Sequence, residues 1–213
     1  MSSPAIQPQP SPVIGVMGGS FDPPHVGHLI AARWARHYLG QGATIWIIPS
    51  GDHPFGKRLT PAEHRLAMCA LTFGEDAMVI SRIEIERAVM LTQPTYTIDT
   101  LRELRRLHPA ASLRLILGTD VMTETARWRA WDEVAATAPP LWVPRVGFGE
   151  IAGSGVEADS PSEGAGLPPR PPGISSREIR QMLREGCDVS AFLEPGVLDY
   201  IRDHRLYPMQ PDA

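Results

Sequence analysis

The chain has 213 residues, with 20 basic and 24 acidic side chains for a net charge of −4, and 43% of its residues are apolar. That is enough to bury a core as one sizeable domain, while a pI near 6.0 argues against general nucleic-acid binding. No run approaches the ~18 apolar residues of a membrane helix; the opening MSSPAIQPQPSP is not expected to be a secretory signal, and Cys69 and Cys187, far apart, read as reduced thiols of a cytoplasmic protein.

Proline marks the edges. Four of the 22 prolines fall in residues 1–12, a loose tail, and eight fall in residues 139–173. Residues 146–172, rich in Pro and Gly, read as a flexible insertion. The segment 13–145 is then an α/β core, and 173–207 a small C-terminal helical part of the same domain.

Within the core, Val13–Met17 is the first strand candidate, followed by a helical pattern over roughly 27–39 with Leu29, Ala32, Ala35 and Leu39 on one face. Thr44–Pro49, Met78–Ile80, Leu113–Gly118 and Leu141–Val143 are further strands, and 61–73, 97–107 and 129–137 further helices. The first, second and fourth strands are nearly all apolar, as strands buried on both faces are. Alternation of this kind predicts a Rossmann-like, doubly wound parallel sheet flanked by helices. Its ligand site should lie beyond the carboxyl ends of the strands. Thr60-Pro61-Ala62-Glu63 and Ser175-Ser176-Arg177-Glu178 read as capping boxes, and a last helix is expected over about Pro195 to His204.

Gly51-Asp52-His53-Pro54-Phe55-Gly56-Lys57-Arg58 nearly spells a P-loop after the second strand. Arg58 stands where the magnesium-binding hydroxyl belongs, and Pro54 removes a backbone donor from the cradle. A P-loop is therefore not expected. Lys57 is the sole lysine beside 19 arginines.

The stronger signal follows the first strand, in Gly18-Gly19-Ser20-Phe21-Asp22-Pro23-Pro24-His25-Val26-Gly27-His28. Two glycines after a buried strand let backbone N–H groups approach an anion, and a helix start favours phosphate through its dipole and free N–H groups. His25 and His28, three apart at that helix start, can point the same way and donate to phosphate oxygens. Half of a metal site is the competing reading, but no HExxH or cysteine cluster completes it. Mere close packing of strand on helix is another, and the dinucleotide fingerprint G-x-G-x-x-G is absent.

GGSFDPPHVGH resembles the His-x-Gly-His signature of the nucleotidyltransferase superfamily, and from about Ile14 to Tyr207, apart from the insertion, the chain resembles the bacterial nicotinate-nucleotide adenylyltransferases. The resemblance implies adenylyl transfer from ATP to nicotinate mononucleotide, giving deamido-NAD and pyrophosphate in NAD biosynthesis, with Mg2+ accompanying ATP. It implies no nucleic-acid or membrane partner and leaves a homo-oligomer open. His25 and His28 would be catalytic. ATP would meet Gly18, Gly19, Ser20, Phe21, His25 and His28, the Gly-x-Asp pair Gly118 and Asp120 at the ribose, and Ser175, Ser176 and Arg180 of an Ile-Ser-Ser-x-x-Ile-Arg motif.

Arg177 replaces the threonine usual in that motif. Thr95-Tyr96-Thr97, by its residues alone a β-branched helix start, corresponds to the family's nicotinate pocket. Trp128 corresponds to a tryptophan that stacks on the pyridine ring, although its residue type alone suits a core or interface equally. Lys57 ends the loop expected to bind the mononucleotide. Phosphopantetheine adenylyltransferase shares the signature but does not account for Thr-Tyr-Thr, Trp128 or the ending at Tyr207. A non-catalytic nucleotide-binding regulator on the same fold is the alternative from another class.

Overall fold

Residues 12–40, 42–51, 59–74, 78–91, 95–144 and 172–208 are described by a computed structural model of the chain. The expected tail over residues 1–11, the body of the 146–172 insertion, and Lys57 in the loop after the second strand lie outside the described residues.

Five strands, β1 (Val13–Gly19), β2 (Thr44–Pro49), β3 (Met78–Ile80), β4 (Ser112–Gly118) and β5 (Pro140–Val143), form one sheet in the order β3-β2-β1-β4-β5, and every pairing is parallel. Their apolar residues divide between two faces because side chains alternate along a strand. Ile45, Ile47 and Ile116 meet α1 (Val26–Leu39) and α2 (Ala62–Phe73) through Leu29, Ala32, Ala35, Cys69 and Phe73. Ile14, Val16, Leu113, Leu115 and Leu117 meet α4 (Thr97–Leu107) and α5 (Trp131–Thr137) through Ile98, Leu101, Leu104 and Val134 on the other face. The doubly wound parallel architecture read from the alternation is the one observed.

Gly15 shows how closely these layers approach. A Cβ there would come within 2.8 Å of Ile45, 2.9 Å of Ile116 and 3.0 Å of Leu39 terminal methyls, so a larger residue would make these side chains shift.

A third cluster closes one end of the molecule. α6 (Ser176–Arg184) and α7 (Pro195–Asp203) bury Ile179, Val197, Leu198 and Ile201 with Val189, Leu193 and Tyr207 against Met68 of α2. The C-terminal part therefore packs on the core.

Several local expectations change. Thr60 does not cap α2: Pro61 is the N-cap, no side chain caps it, and Glu63 forms an ion pair with Arg82 at 2.8 Å. Thr60 is instead recruited by its backbone, accepting Arg65 Nε through its carbonyl at 2.9 Å. α5 begins at Trp131 rather than 129, because Ala130 adopts a left-handed backbone (φ 53°) at the junction. The box at Ser175 is formed as expected, with Ser175 and Glu178 exchanging backbone and side-chain bonds. Two elements carried no sequence expectation: α3 (Ile83–Leu91) and a 3-10 segment, Thr119–Arg127.

Candidate active site

The crevice follows from strand register. β1 pairs with β2 as far as Gly19↔Pro49, but with β4 only as far as Val16↔Leu115. Beyond that point β1 and β4 run on without pairing, and the crossovers from them leave in opposite directions. This is the switch point of the sheet, where a doubly wound fold opens to a ligand. Gly18 lines it with nothing within 4 Å of where a Cβ would stand, whereas Gly19 packs on the Phe21 ring. Gly118 and Asp120 stand at the carboxyl end of β4, on the other side of the same opening.

Phe21 turns the chain out of β1 with a left-handed backbone (φ 46°), and its ring is buried edge-on against His28 (5.0 Å) and Phe73 (5.9 Å). That anchoring sustains a conformation unfavourable for an aromatic residue.

His25 and His28 cap α1 reciprocally. His25 Nδ1 accepts the N–H of Gly27 at 3.2 Å, and His28 Nδ1 accepts the N–H of His25 at 3.2 Å. The ring centroids lie 3.7 Å apart. Because both Nδ1 atoms accept backbone protons, the proton of each neutral ring belongs on Nε2. Nε2 is thus the donor nitrogen of each ring, with His25 buried and His28 half-buried. Gly27 is required by this arrangement: a Cβ would stand 3.0 Å from two atoms of the His25 ring.

One expectation is revised. The first N–H groups of α1 are not open to an anion, since Val26 N–H donates to Phe192 O (2.9 Å), Gly27 N–H to His25 Nδ1 (3.2 Å), and His28 N–H to His25 O (2.8 Å). The imidazoles stand where the helix end itself would otherwise meet phosphate.

The loop that delivers His25 is held from four directions. Tyr207 Oη donates to Asp22 Oδ1 at 2.6 Å, and Thr60 N–H donates to Asp22 Oδ2 at 3.3 Å. Arg180 donates to the Asp22 carbonyl, its guanidinium also 3.9 Å from the carboxylate, and Ser176 Oγ donates to the Pro23 carbonyl at 2.8 Å. Arg65, buried in α2, donates to the carbonyls of Ser20 (3.0 Å) and Thr60 (2.9 Å). Burial and the adjacent Asp22 carboxylate push the Tyr207 hydroxyl far above the ordinary phenol range.

Ser176 and Arg180, expected at a nucleotide, therefore lie against the histidine loop. Ser175 is occupied in capping α6. Asp22 lay inside the quoted motif without an assigned role. Arg65 carried no local signal beyond a charge in a helix, and Tyr207 marked the family-like ending without an assigned contact.

On the far side of β1, Thr95, Tyr96 and Thr97 lead into α4. Thr95 is buried, Tyr96 is the N-cap, and no side chain caps this helix. Arg129 lies over the Tyr96 ring at 4.8 Å, and Trp128, partly buried, meets Trp131 edge-on at 5.8 Å. Tyr96 and Trp128 both pack on the core beneath α4. Glu84 of α3, which no sequence motif pointed to, accepts hydrogen bonds from Thr95 and Thr100. Among the described residues, no group of three or more His, Cys, Asp or Glu side chains is placed to hold a metal ion, and no helix is long and apolar enough to cross a membrane.

A family model described as cytidylyltransferase-like matches residues 16–182. Among curated proteins, a probable nicotinate-nucleotide adenylyltransferase of Anaeromyxobacter sp. is 37% identical over 198 residues, covering 91% of this chain and 96% of the relative. One from Thermus thermophilus is 36% identical over 200 residues, covering 91% and 98%. Among solved structures, Plasmodium falciparum nicotinic acid mononucleotide adenylyltransferase complexed with NaAD shares the fold, with a TM-score of 0.72 at 22% identity over 92% of this chain and 98% of that one.

Proposed function

Since the chain belongs to the cytidylyltransferase-like family, with nicotinate-nucleotide adenylyltransferases as its relatives over most of its length, we propose that it moves the adenylyl group of ATP to nicotinate mononucleotide, releasing pyrophosphate and forming deamido-NAD. The observation that carries the site assignment is the reciprocal histidine cap at the β1–β4 switch point.

The acceptor phosphate is already an anion and attacks the α-phosphorus without a strong base or covalent enzyme intermediate. Catalysis is then alignment for in-line displacement and neutralisation of charge that grows on the phosphoryl oxygens. The Nε2–H groups of His25 and His28 donate to those oxygens. The opening at Gly18 lets the nucleotide approach the backbone, with Gly19, Ser20 and Phe21 shaping the turn. Gly118 and Asp120, at the end of β4, take the adenosine ribose. Arg180 has five donors in its fork, enough to keep the Asp22 loop and still meet the triphosphate beside Ser175 and Ser176. A divalent cation, Mg2+ in this reading, belongs to the triphosphate, since Mg2+ is commonly held through substrate phosphates; it supplies further charge neutralisation there.

The acceptor falls to Thr95, Tyr96 and Thr97, with Trp128 stacking on the pyridine ring and Lys57 meeting the mononucleotide phosphate. No side chain caps the start of α4, and the helix dipole there favours a pyridine carboxylate over a neutral amide, with Asp99 in the first turn and Glu84 beside it opposing part of that field. That supports nicotinate over nicotinamide. Residues 13–145 and 173–207 act in this reading as one catalytic domain of a cytoplasmic enzyme.

Pyrophosphate release from ATP, measured with nicotinate mononucleotide, nicotinamide mononucleotide and phosphopantetheine in turn, tests the assignment. Preferred turnover with the nicotinate compound is expected. Preferred turnover with phosphopantetheine, or ATP binding without release for any acceptor, would overturn it.

A further inference from the structure

Behind the acceptor segment lies a carboxylate that the transfer reaction does not use. Glu84, the second residue of α3, accepts Thr95 Oγ1 on Oε2 at 3.1 Å and Thr100 Oγ1 on Oε1 at 2.8 Å. Both threonine side chains belong to buried residues, 5% and 2% exposed. They bracket the first turn of α4, so one side chain of α3 holds both ends of that turn. The backbone of the same residue passes close to the exit of β2: a Cβ at Gly51 would fall 2.4 Å from the Glu84 carbonyl oxygen.

Burial holds the Glu84 carboxyl above the ordinary carboxylate range, although the hydroxyls of Thr100 and Thr95 and the guanidiniums of Arg87 and Arg65 act in the opposite direction. What the carboxylate does that an apolar group cannot is accept two hydroxyl protons at once, which fixes the rotamers of Thr95 and Thr100 together. Without it Thr100 has a competing acceptor, the Tyr96 carbonyl at 3.4 Å, which already receives the N–H groups of Asp99 and Thr100.

Resting on the adenylyltransferase reading, we propose that Glu84 is a positioning residue for the acceptor nucleotide, fixing the Thr95–Thr100 turn on which the pyridine carboxylate is seated. Its hydrogen bonds fall on the acceptor segment and not on the groups assigned to ATP, which lie at the histidine loop, the end of β4 and the start of α6.

The test is steady-state kinetics of Glu84→Gln and Glu84→Ala with ATP and nicotinate mononucleotide each varied, beside thermal unfolding at pH 7. Loss of one charge-assisted hydrogen bond in Glu84→Gln predicts an acceptor KM raised about tenfold, and loss of both in Glu84→Ala predicts at least as much, with the ATP KM within about twofold in each. Glu84→Gln, relieved of the buried charge, should unfold no lower than the unaltered protein, a combination that a purely structural role does not produce. An unchanged acceptor KM in both variants overturns the assignment. So does a parallel rise of both KM values accompanied by a lower unfolding temperature in Glu84→Gln. Absence of turnover in the unaltered protein would overturn the transfer reading and this assignment with it.

Discussion

The hydroxyl of Tyr207 lies 2.6 Å from the carboxylate of Asp22, across 185 positions of sequence. Asp22 precedes His25 by three residues, so a side chain 185 positions away helps place the two imidazoles to which the proposed transfer assigns catalysis. Tyr207→Phe keeps the ring and removes the donor. The buried carboxylate then lacks a charge-assisted bond, a loss of about 2 kcal/mol, which for a chain of this size lowers Tm by roughly 4–8 °C. Calorimetry beside turnover should show kcat falling with Tm.

Alkaline pH gives an independent reading of the same contact. The Tyr207 hydroxyl is held protonated in the fold, so its folded value lies above its unfolded one. Its contribution is complete below the ordinary phenol value of about 10 and is lost as pH rises beyond it. Unfolding followed from neutral pH to above 10 should show a decline that Tyr207→Phe lacks.

His28→Ala removes one Nε2–H donor and half of the reciprocal cap. Loss of a preorganised donor to developing charge costs on the order of 10² to 10³ in kcat, while a lost N-cap costs about 1 kcal/mol of stability. The variant should therefore fold, by circular dichroism, and fail to turn over. Retention of near-full kcat would remove the histidine pair from the mechanism.

Gly27→Ala separates positioning from folding. Alanine is favoured over glycine inside a helix by about 1 kcal/mol, yet its methyl would press on the His25 ring at 3.0 Å. A stability near or above that of the unaltered protein is expected, with kcat reduced roughly tenfold through a displaced imidazole. Equal losses of stability and activity would contradict this.

Lys57→Arg asks whether the sole lysine is chosen for its chemistry. A compact ammonium and a planar guanidinium meet phosphate differently. In the proposed role the substitution raises the acceptor KM and leaves that of ATP alone; unchanged kinetics for both substrates would return Lys57 to composition.

The sheet was legible because apolar runs such as TIWIIP have few other uses, and the histidine motif because Gly-Gly and two imidazoles at a helix start are chemically specific. α3 was not, since Ile83, Glu84, Ile85 and Glu86 alternate as a strand would, while Val89, Met90 and Leu91 at its end are exposed apolar residues that blur a helical face. Thr60-Pro61-Ala62-Glu63 has the letters of a capping box, but Arg82 claims Glu63 and Arg65 claims the Thr60 carbonyl. Asp22, Arg65, Glu84 and Tyr207 share one reason for being missed. Each takes its meaning from partners distant in sequence, and local pattern carries no record of those.

The Asp22–Tyr207 bond also orders events in time. β1 and the histidine loop are made before Tyr207, which lies 185 positions after Asp22, so the loop cannot complete its hydrogen bonds until Tyr207 has left the ribosome. Closing so long a span costs entropy that shorter contacts do not. The sheet can assemble while synthesis continues, but the histidine loop is finished only once Tyr207 has emerged, and a chain interrupted before it would carry both histidines without the contact that steadies their loop.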